Sequence, residues 1–403
     1  MIVSFEKSTA FGEMLAPTSK SLAHRYLICG ALSEESEIHN IDFSEDIKAT
    51  LGCLEALGAK AEIRGHTVKI GGLMSSKKIN SNKLFCNESG STLRFLIPLC
   101  LLKNEEITLK GTERLFKRDL SVFEGICASQ GMDFVKTENS VTVKGLLSNG
   151  RYTVRGDISS QFISGLMFSL PLLSGESVID ITGKSESSSY LNITLKTLGD
   201  FGVRISKIDE NTMYVAGSQS YKNRNLTVEG DYSNAAFFDA FNLIGGNVAV
   251  KGLNEDSTQG DKAYKEFYPQ LLKGKPEIDI SDCPDLGPVL MALAAALNGA
   301  VFTGTHRLKI KESDRGMAMA EELAKFGCKV DVEEDRIEVF PCKLQKPILP
   351  LSGHNDHRIV MAVSLLCTLT GGKIYGAEAV AKSLPDFFER LRKLGIKLKE
   401  ETL

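Results

Sequence analysis

The sequence contains no tryptophan among its 403 residues and no apolar run long enough to span a bilayer. Its best stretch, Gly287 to Leu297, falls short of the ~18 residues a membrane helix requires. The chain opens Met1-Ile2-Val3-Ser4-Phe5-Glu6-Lys7, without the basic and then apolar regions of a secretory signal. No C-x-x-C occurs, and the nine cysteines (29, 53, 86, 100, 127, 283, 328, 342, 367) are scattered and odd in number. Neither a disulfide framework nor a zinc site is expected, and most of these cysteines stand in apolar runs, as small core residues do. An excess of one charge is missing too. Lys and Arg total 48 against 51 Asp and Glu, so neither nucleic acid nor an anionic membrane is expected as a partner. Anionic substrates would have to be met by cations gathered locally. A cytoplasmic enzyme fits.

What is present belongs to a soluble globular protein, with 42% hydrophobic and 25% charged residues. The length exceeds one ordinary core, and two domains of roughly 200 residues are expected.

A repeat organises the chain. Six times a small or polar start leads into an apolar helix-like run, a Gly or polar turn, and a β-alternating segment. The starts lie near Ser21, Ser91, Ser159, Ser233, Gly287 and Asp356. These first helices are apolar nearly all round, which predicts burial on most faces. Each copy then offers a second, more amphipathic helix, commonly ending at glycine, as in Ser44 to Gly58, Lys117 to Gly131, Tyr190 to Gly202, Ser313 to Gly327 and Pro385 to Gly395. Ser44 and Ser313 suit N-caps, and the closing glycines suit C′ positions. Short hairpins such as Val330–Val332 with Arg336–Val339 come next. A period of roughly 70 residues exceeds that of solenoids, so each copy is expected to be a small βαβαββ unit, three per domain. Buried first helices place helices inside and sheets outside, the reverse of a (β/α)₈ barrel. Two ordinary α+β sandwiches are the alternative.

Six polar clusters accompany the repeat. Ser19-Lys20-Ser21-x-x-x-Arg25 places a lysine and a serine at a helix start, where free N–H groups and the dipole favour an anion, with Arg25 one turn on. Glu88-Ser89-Gly90-Ser91-Thr92-Leu93-Arg94 has a glycine that lets backbone approach a ligand, and an arginine inside an apolar helix. Arg114-Leu115-Phe116-Lys117-Arg118 reads as three cations opening a helix, where only an anionic ligand offsets the dipole. Ser159-Ser160-Gln161 precedes a buried helix and serves as a cap or a phosphate site. Lys309 to Arg315, with Asp285 upstream, mixes acids that transfer protons with cations that hold acidic substrates. His354-Asn355-Asp356-His357-Arg358 pairs two histidines, but no third ligand is evident and the arginine repels a cation, so no metal is expected. Each cluster alone is also compatible with a capped or solvated surface. Counting Asp285, five of the six lie near first-helix starts. Parallel helices would gather these N-termini at one face of each domain, and two facing domains would aim six of them at anions.

Taken together the motifs resemble the EPSP synthase family of enolpyruvyl transferases. The match rests on Ser19-Lys20-Ser21-x-x-x-Arg25, Ser89-Gly90-Ser91-Thr92-x-Arg94, Ser159-Ser160-Gln161-Phe162, Glu229-Gly230-Asp231, Lys311-Glu312-Ser313-Asp314-Arg315 and Asn355-Asp356-His357-Arg358, collinear from about residue 14 to 390. The resemblance implies an α/β fold of two inside-out α/β barrel domains with buried parallel helices, residues 14–227 and residues 1–13 with 228–403, and an active site in the cleft between them. It implies transfer of the enolpyruvyl group of phosphoenolpyruvate to the 5-hydroxyl of shikimate 3-phosphate. Shikimate 3-phosphate would meet Lys20, Ser21, Arg25, Ser159, Ser160, Gln161, Ser187, Tyr190, Asp285 and Lys311. Phosphoenolpyruvate would meet Lys20, Gly90, Arg118, Gln161, Arg315, Arg358 and Lys382. Asp285 would take the hydroxyl proton, and Glu312, with Lys20 competing, would protonate the enol methylene beside His357. This chemistry requires no metal or organic cofactor. A monomer is expected, with only these small molecules as partners. Thr18 replaces a glycine frequent in the family, and Arg307 stands where many members have Asn. The alternatives are a transferase acting on UDP-N-acetylglucosamine, whose reactive loop cysteine has no counterpart between Lys110 and Lys117, and a non-catalytic anion-binding module.

Overall fold

The computed structural model describes residues 1–76, 78–183 and 188–401. The chain divides into two units: Thr18–Glu229, here the inserted unit, and Met1–Pro17 with Gly230–Leu403, the split unit. These limits lie a few residues beyond positions 14 and 228. Strand Phe11–Leu15 pairs in parallel with Asn247–Lys251, which ties the segment before residue 18 to the split unit.

The inserted unit holds α1 (Lys20–Leu32), α2 (Glu45–Ala56), α3 (Gly90–Cys100), the short α4 (Glu113–Lys117), α5 (Ser121–Ser129), α6 (Ser160–Ser169) and α7 (Ser188–Asp200). The apolar first helices α1, α3 and α6 are buried nearly throughout. The residues that escape are Lys20 and Ser21 of α1, Ser91 of α3 and Gln161 of α6, all within the first turn. Access to these helices is thus confined to their N-terminal ends. Gly165 permits the tight α3–α6 packing, since a Cβ there would lie 2.5 Å from the Arg94 carbonyl oxygen.

Three four-stranded sheets flank these helices. In one, Lys83–Asn87 runs parallel to Ile107–Gly111, which pairs antiparallel with Ser140–Lys144, itself antiparallel to Asp133–Lys136. A parallel pair needs a crossover, and α3 supplies it. The second sheet repeats this with Arg151–Arg155, Ser177–Thr182, Thr212–Val215 and Ile205–Lys207. The third borrows its first strand, Asn225–Thr227, from the far end of the unit.

The split unit holds α8 (Tyr232–Asp239), α9 (Tyr264–Lys273), α10 (Gly287–Ala296), α11 (Arg315–Lys325), α12 (His357–Thr370) and α13 (Phe387–Lys393). α10 and α12 are buried along almost their whole length and pack on one another. One sheet repeats the four-strand pattern. Another sets the N-terminal strand Ile2–Phe5 between Gly372–Tyr375 and Leu398–Glu401. The remaining copy departs from the pattern, with only two strands, Phe11–Leu15 and Asn247–Lys251. Among the described residues no sheet closes on itself, and each core lies between central helices and outer sheets.

Three local expectations need correction. The basic segment 114–118 does not open a helix. Thr112 caps α4, Glu113 occupies its first turn, and Arg114 and Lys117 fall in its last turn, where the dipole favours cations. The following helix begins at Ser121 rather than Lys117. Asp314, not Ser313, caps α11, because the Ser313 hydroxyl donates to Asp356 instead. Finally, Cys328 and Cys342 form a disulfide, S–S 2.05 Å, because the hairpin Val330–Val332 with Arg336–Val339 returns the chain beside itself. The other seven cysteines are buried and free.

Candidate active site

In the inserted unit the three buried helices begin at Ser19, Ser89 and Ser159, and each serine accepts from an amide of the first turn. A chain of polar side chains ties α1 to the start of α3. The buried His24 ring lies 2.7 Å from Thr50, which lies 2.7 Å from Thr92, whose hydroxyl donates to Ser89 at 2.7 Å. Burial, with Lys20 and Arg25 nearby, holds His24 well below the usual imidazole range, so this chain is neutral. Lys20 projects from the start of α1 to Asp46 on α2 at 2.9 Å.

Arg25 is fully enclosed. Its Nη1 donates to the Ser21 carbonyl at 2.8 Å, Nε to Thr194 at 2.8 Å and Nη2 to the Tyr190 carbonyl at 3.2 Å, while the guanidinium lies 5.0 Å from the Phe95 ring centroid. Burial pulls its pKa down to about 10. Ser21 and Tyr190 therefore stand beside Arg25, and both bond it through backbone oxygens. Ser187 lies outside the described residues.

Gly90 sits in a cradle of polar groups. A Cβ there would be 2.7 Å from Arg118 Nη1, 3.5 Å from Gln161 Oε1 and 3.6 Å from Arg94 Nη1. Arg94 Nη1 donates to Gln161 Oε1 at 2.8 Å, and Gln161 Nε2 donates to Ser91 at 3.0 Å. Arg118 caps the C-terminus of α4, and its buried Nε has no hydrogen-bond partner among the described residues. Lys20, Gly90, Ser159, Ser160 and Gln161 thus belong to helix starts of one unit, Arg118 reaches Gly90 from the end of α4, and Arg94 joins them as the side chain that orients Gln161.

The split unit centres on Arg315, the first residue of α11 and 1% exposed. Its Nε donates to Asp356 at 2.9 Å, Nη1 to Asp285 at 2.7 Å and Nη2 to Glu312 at 2.7 Å. Asp356 also caps α12. Asp285 precedes α10 and is further approached by Lys311 at 3.2 Å and Arg358 at 3.7 Å. Burial pushes the Asp285 carboxyl up, but Lys311, Arg315 and Arg358 together hold it well below the usual carboxylate range. Burial lowers Lys311, against the pull of Asp285.

Arg358 is 4% exposed, and its Nε and Nη1 are buried with no hydrogen-bond partner among the described residues. Two enclosed donors of a guanidinium call for an acceptor such as phosphate or carboxylate. His357 opens α12, with Nδ1 3.9 Å from Asp356. Lys382 donates to the Asn355 carbonyl at 2.6 Å. The expected residues Asp285, Lys311, Glu312, Arg315, His357 and Arg358 therefore form one network, and Lys382 is bonded to the loop preceding Asp356.

His354 turns elsewhere. Its Nε2 lies 2.8 Å from the buried Glu322. Glu321, Glu322 and His354 offer ligand atoms within 4.8 Å of one another, but Lys325 Nζ sits 2.9 Å from both Glu322 oxygens and already balances that carboxylate. Sequence reasoning passed over Asp46, Thr194 and the bridging role of Asp356. Only the Asp356 cap position gave a local signal, since the other contacts join residues dozens or hundreds of positions apart.

A family profile described as EPSP synthase (3-phosphoshikimate 1-carboxyvinyltransferase) matches residues 6–391. A 3-phosphoshikimate 1-carboxyvinyltransferase of Clostridium kluyveri is 40% identical, covering 99% of this chain and 98% of its own. Another of Clostridium novyi is 39% identical over 95% of both. The fold is similar to an EPSP synthase of Acinetobacter baumannii, TM-score 0.79 at 22% identity, covering 99% of this chain and 100% of that one. It is also similar to the enolpyruvyl transferase NikO of Streptomyces tendae, TM-score 0.78 at 15% identity, covering 100% of this chain and 99% of that one. No helix among the described residues is long and apolar enough to cross a membrane.

Proposed function

The chain belongs to the EPSP synthase family, and on that premise we propose how its residues carry the enolpyruvyl group of phosphoenolpyruvate to the 5-hydroxyl of shikimate 3-phosphate, releasing phosphate. Membership supports the activity. The buried, unpartnered donors of Arg358 within a network of acids and cations are the observation that best supports the assignment of residues.

Both substrates carry a phosphate and a carboxylate, so cations must offset their mutual repulsion. In the inserted unit Ser159 and Ser160 present hydroxyls and amides to the phosphate of shikimate 3-phosphate, with Lys20, Ser21, Arg25, Gln161, Ser187 and Tyr190 completing its site. Gly90 leaves room for phosphoenolpyruvate between Arg118 and Gln161. Arg315, Arg358 and Lys382 of the split unit take the same substrate, and Asp285 and Lys311 take shikimate 3-phosphate. We assign both sets to one substrate pair.

Asp285 is the base for the 5-hydroxyl. Lys311, Arg315 and Arg358 hold it low and make it a weak one. Anionic substrates that draw Lys311, Arg315 and Arg358 toward themselves weaken this hold, and the carboxylate becomes basic when the hydroxyl is in place. Arg315 must exchange part of its bonding with Asp285 and Glu312 to reach substrate. Glu312, with Lys20 as the competing acid, protonates the methylene. The cationic C2 is then attacked by the 5-hydroxyl, and the adduct loses the methyl proton and phosphate to give the enol ether. His357 lies beside these acids. A monomeric, cytoplasmic enzyme is the accompanying proposal.

The test is phosphate release from phosphoenolpyruvate in excess EDTA. Release that requires shikimate 3-phosphate is the expected result. Release with UDP-N-acetylglucosamine alone, or loss on chelation, overturns the reading.

A further inference from the structure

We propose that Asp261 is a positioning residue of the split unit's anion site, which acts through Arg358 and takes up a proton from solvent when a substrate phosphate or carboxylate binds there. The inference rests on the proposed reading of Arg358 as a substrate contact.

Asp261 lies in the 3₁₀ turn Gly260–Ala263, which is fastened to the start of α8 by Gln259. The Gln259 Oε1 accepts from the Tyr232 amide at 3.1 Å, and its Nε2 donates to the Gly230 carbonyl at 2.8 Å. Asp261 is 7% exposed, and its buried Oδ1 has no hydrogen-bond partner among the described residues. Asp231 and Ser233 at the start of α8, Asp285 before α10 and Arg358 of α12 act on it electrostatically, and it acts in turn on Cys283. On α9, which follows it, Tyr264 bonds Asp239 and Lys265 pairs with Glu255, so neither is committed to Asp261.

The contrast with Asp285 is the core of the argument. Three cations hold Asp285 as an anion, whereas among the main influences on Asp261 the cation is Arg358, set against the carboxylates of Asp285 and Asp231. Burial pushes the Asp261 carboxyl up to about 7; Asp285 and Asp231 add to the rise, and Arg358 and Ser233 oppose it. A substrate anion that engages the open Nε and Nη1 of Arg358 removes the attraction that favours ionised Asp261. The carboxyl then gains one proton from water, and no covalent bond changes. Conversely, ionised Asp261 competes with the substrate for Arg358.

Two measurements test this. In the wild type, with shikimate 3-phosphate saturating, KM for phosphoenolpyruvate should rise several-fold from about pH 6.5 to about pH 8.5, since one linked proton permits up to about tenfold per unit. Asp261→Asn, fixed in the neutral form, should lose that rise, and the effect should fall on KM rather than kcat. A variant profile parallel to the wild type overturns the proposal. The second measurement needs no variant. The ¹³C-labelled aspartate carboxyls of the wild type should include one titrating near neutrality, displaced upward by shikimate 3-phosphate with inorganic phosphate. A spectrum without such a carboxyl, or one indifferent to the two anions, also overturns it. Wild-type turnover judges the functional reading separately, because the titration is read without turnover.

Discussion

The Arg315 guanidinium and the Asp356 carboxylate form an ion pair that water does not reach, Nε to Oδ2 2.9 Å, with side-chain exposures of 1% and 0%. The same carboxylate accepts from Ser313 and caps α12, so one aspartate joins the approach to α11 to the start of the neighbouring helix. Removing Asp356 leaves the buried Arg315 Nε without its acceptor, with Asp285 and Glu312 to balance the guanidinium, and takes away the α12 cap. Asp356→Ala is expected to cost about 3–5 kcal/mol. Urea denaturation followed by far-ultraviolet circular dichroism measures it, because the chain has no tryptophan. A loss below about 1 kcal/mol, the range of surface pairs, would show the pair to be solvated.

Proton transfer is assigned to Asp285 and Glu312, both bonded to Arg315. Asp285→Asn and Glu312→Gln should each lower kcat by on the order of 10²-fold or more, with much smaller changes in shikimate 3-phosphate binding. Steady-state kinetics alongside calorimetric binding separates the two effects. Near-normal kcat in either variant removes that residue from the acid–base role.

Gly90→Ala brings a methyl group 2.7 Å from Arg118 Nη1. The guanidinium must withdraw, weakening one charge-assisted bond worth about 1.5–3 kcal/mol. KM for phosphoenolpyruvate should rise about 10- to 100-fold, while shikimate 3-phosphate binding changes little. An unchanged KM would mean that Arg118 does not contact this substrate.

Asp261 also makes a prediction about stability. Its folded pKa of about 7 lies above the ordinary 3.8, so between those values the folded chain holds a proton that the unfolded chain has lost. Its contribution is fully present below 3.8, declines as pH rises toward 7, and is constant above. Asp261→Asn should therefore gain on the wild type across that window, by on the order of a few kcal/mol. Paired denaturation curves at several pH values test this, and a difference independent of pH would show that Asp261 stays ionised throughout.

Much of this was legible in the sequence because the repeat writes the fold locally. Apolar runs with serine or aspartate at their heads gave five of the six central helices their caps, and the glycines that close the second helices adopt left-handed φ, as at Gly58 and Gly327. Segment 114–118 misled because charge alone does not say which end of a helix it occupies, and Thr112 was the missing signal. Ser313 and Asp314 are equally good caps by composition. Tertiary bonding to Asp356 decided between them. The Cys328–Cys342 bond depends on a hairpin's return, and Asp261 depends on burial and neighbours that lie far along the chain. None of these leaves a periodic trace.

The N-terminal strand Ile2–Phe5 occupies the interior of a sheet, between Gly372–Tyr375 and Leu398–Glu401. During synthesis this strand therefore precedes both its partners by most of the chain, about 20–80 s at ordinary elongation rates. Among the described residues the inserted unit takes no strand from outside residues 18–229, so its sheets are complete once residue 229 has been made. Until those partners emerge, Ile2, Val3 and Phe5 lack the strands they pair with in the fold. Translation speed through the codons for residues 372–401 should thus govern yield more than speed through those for the inserted unit.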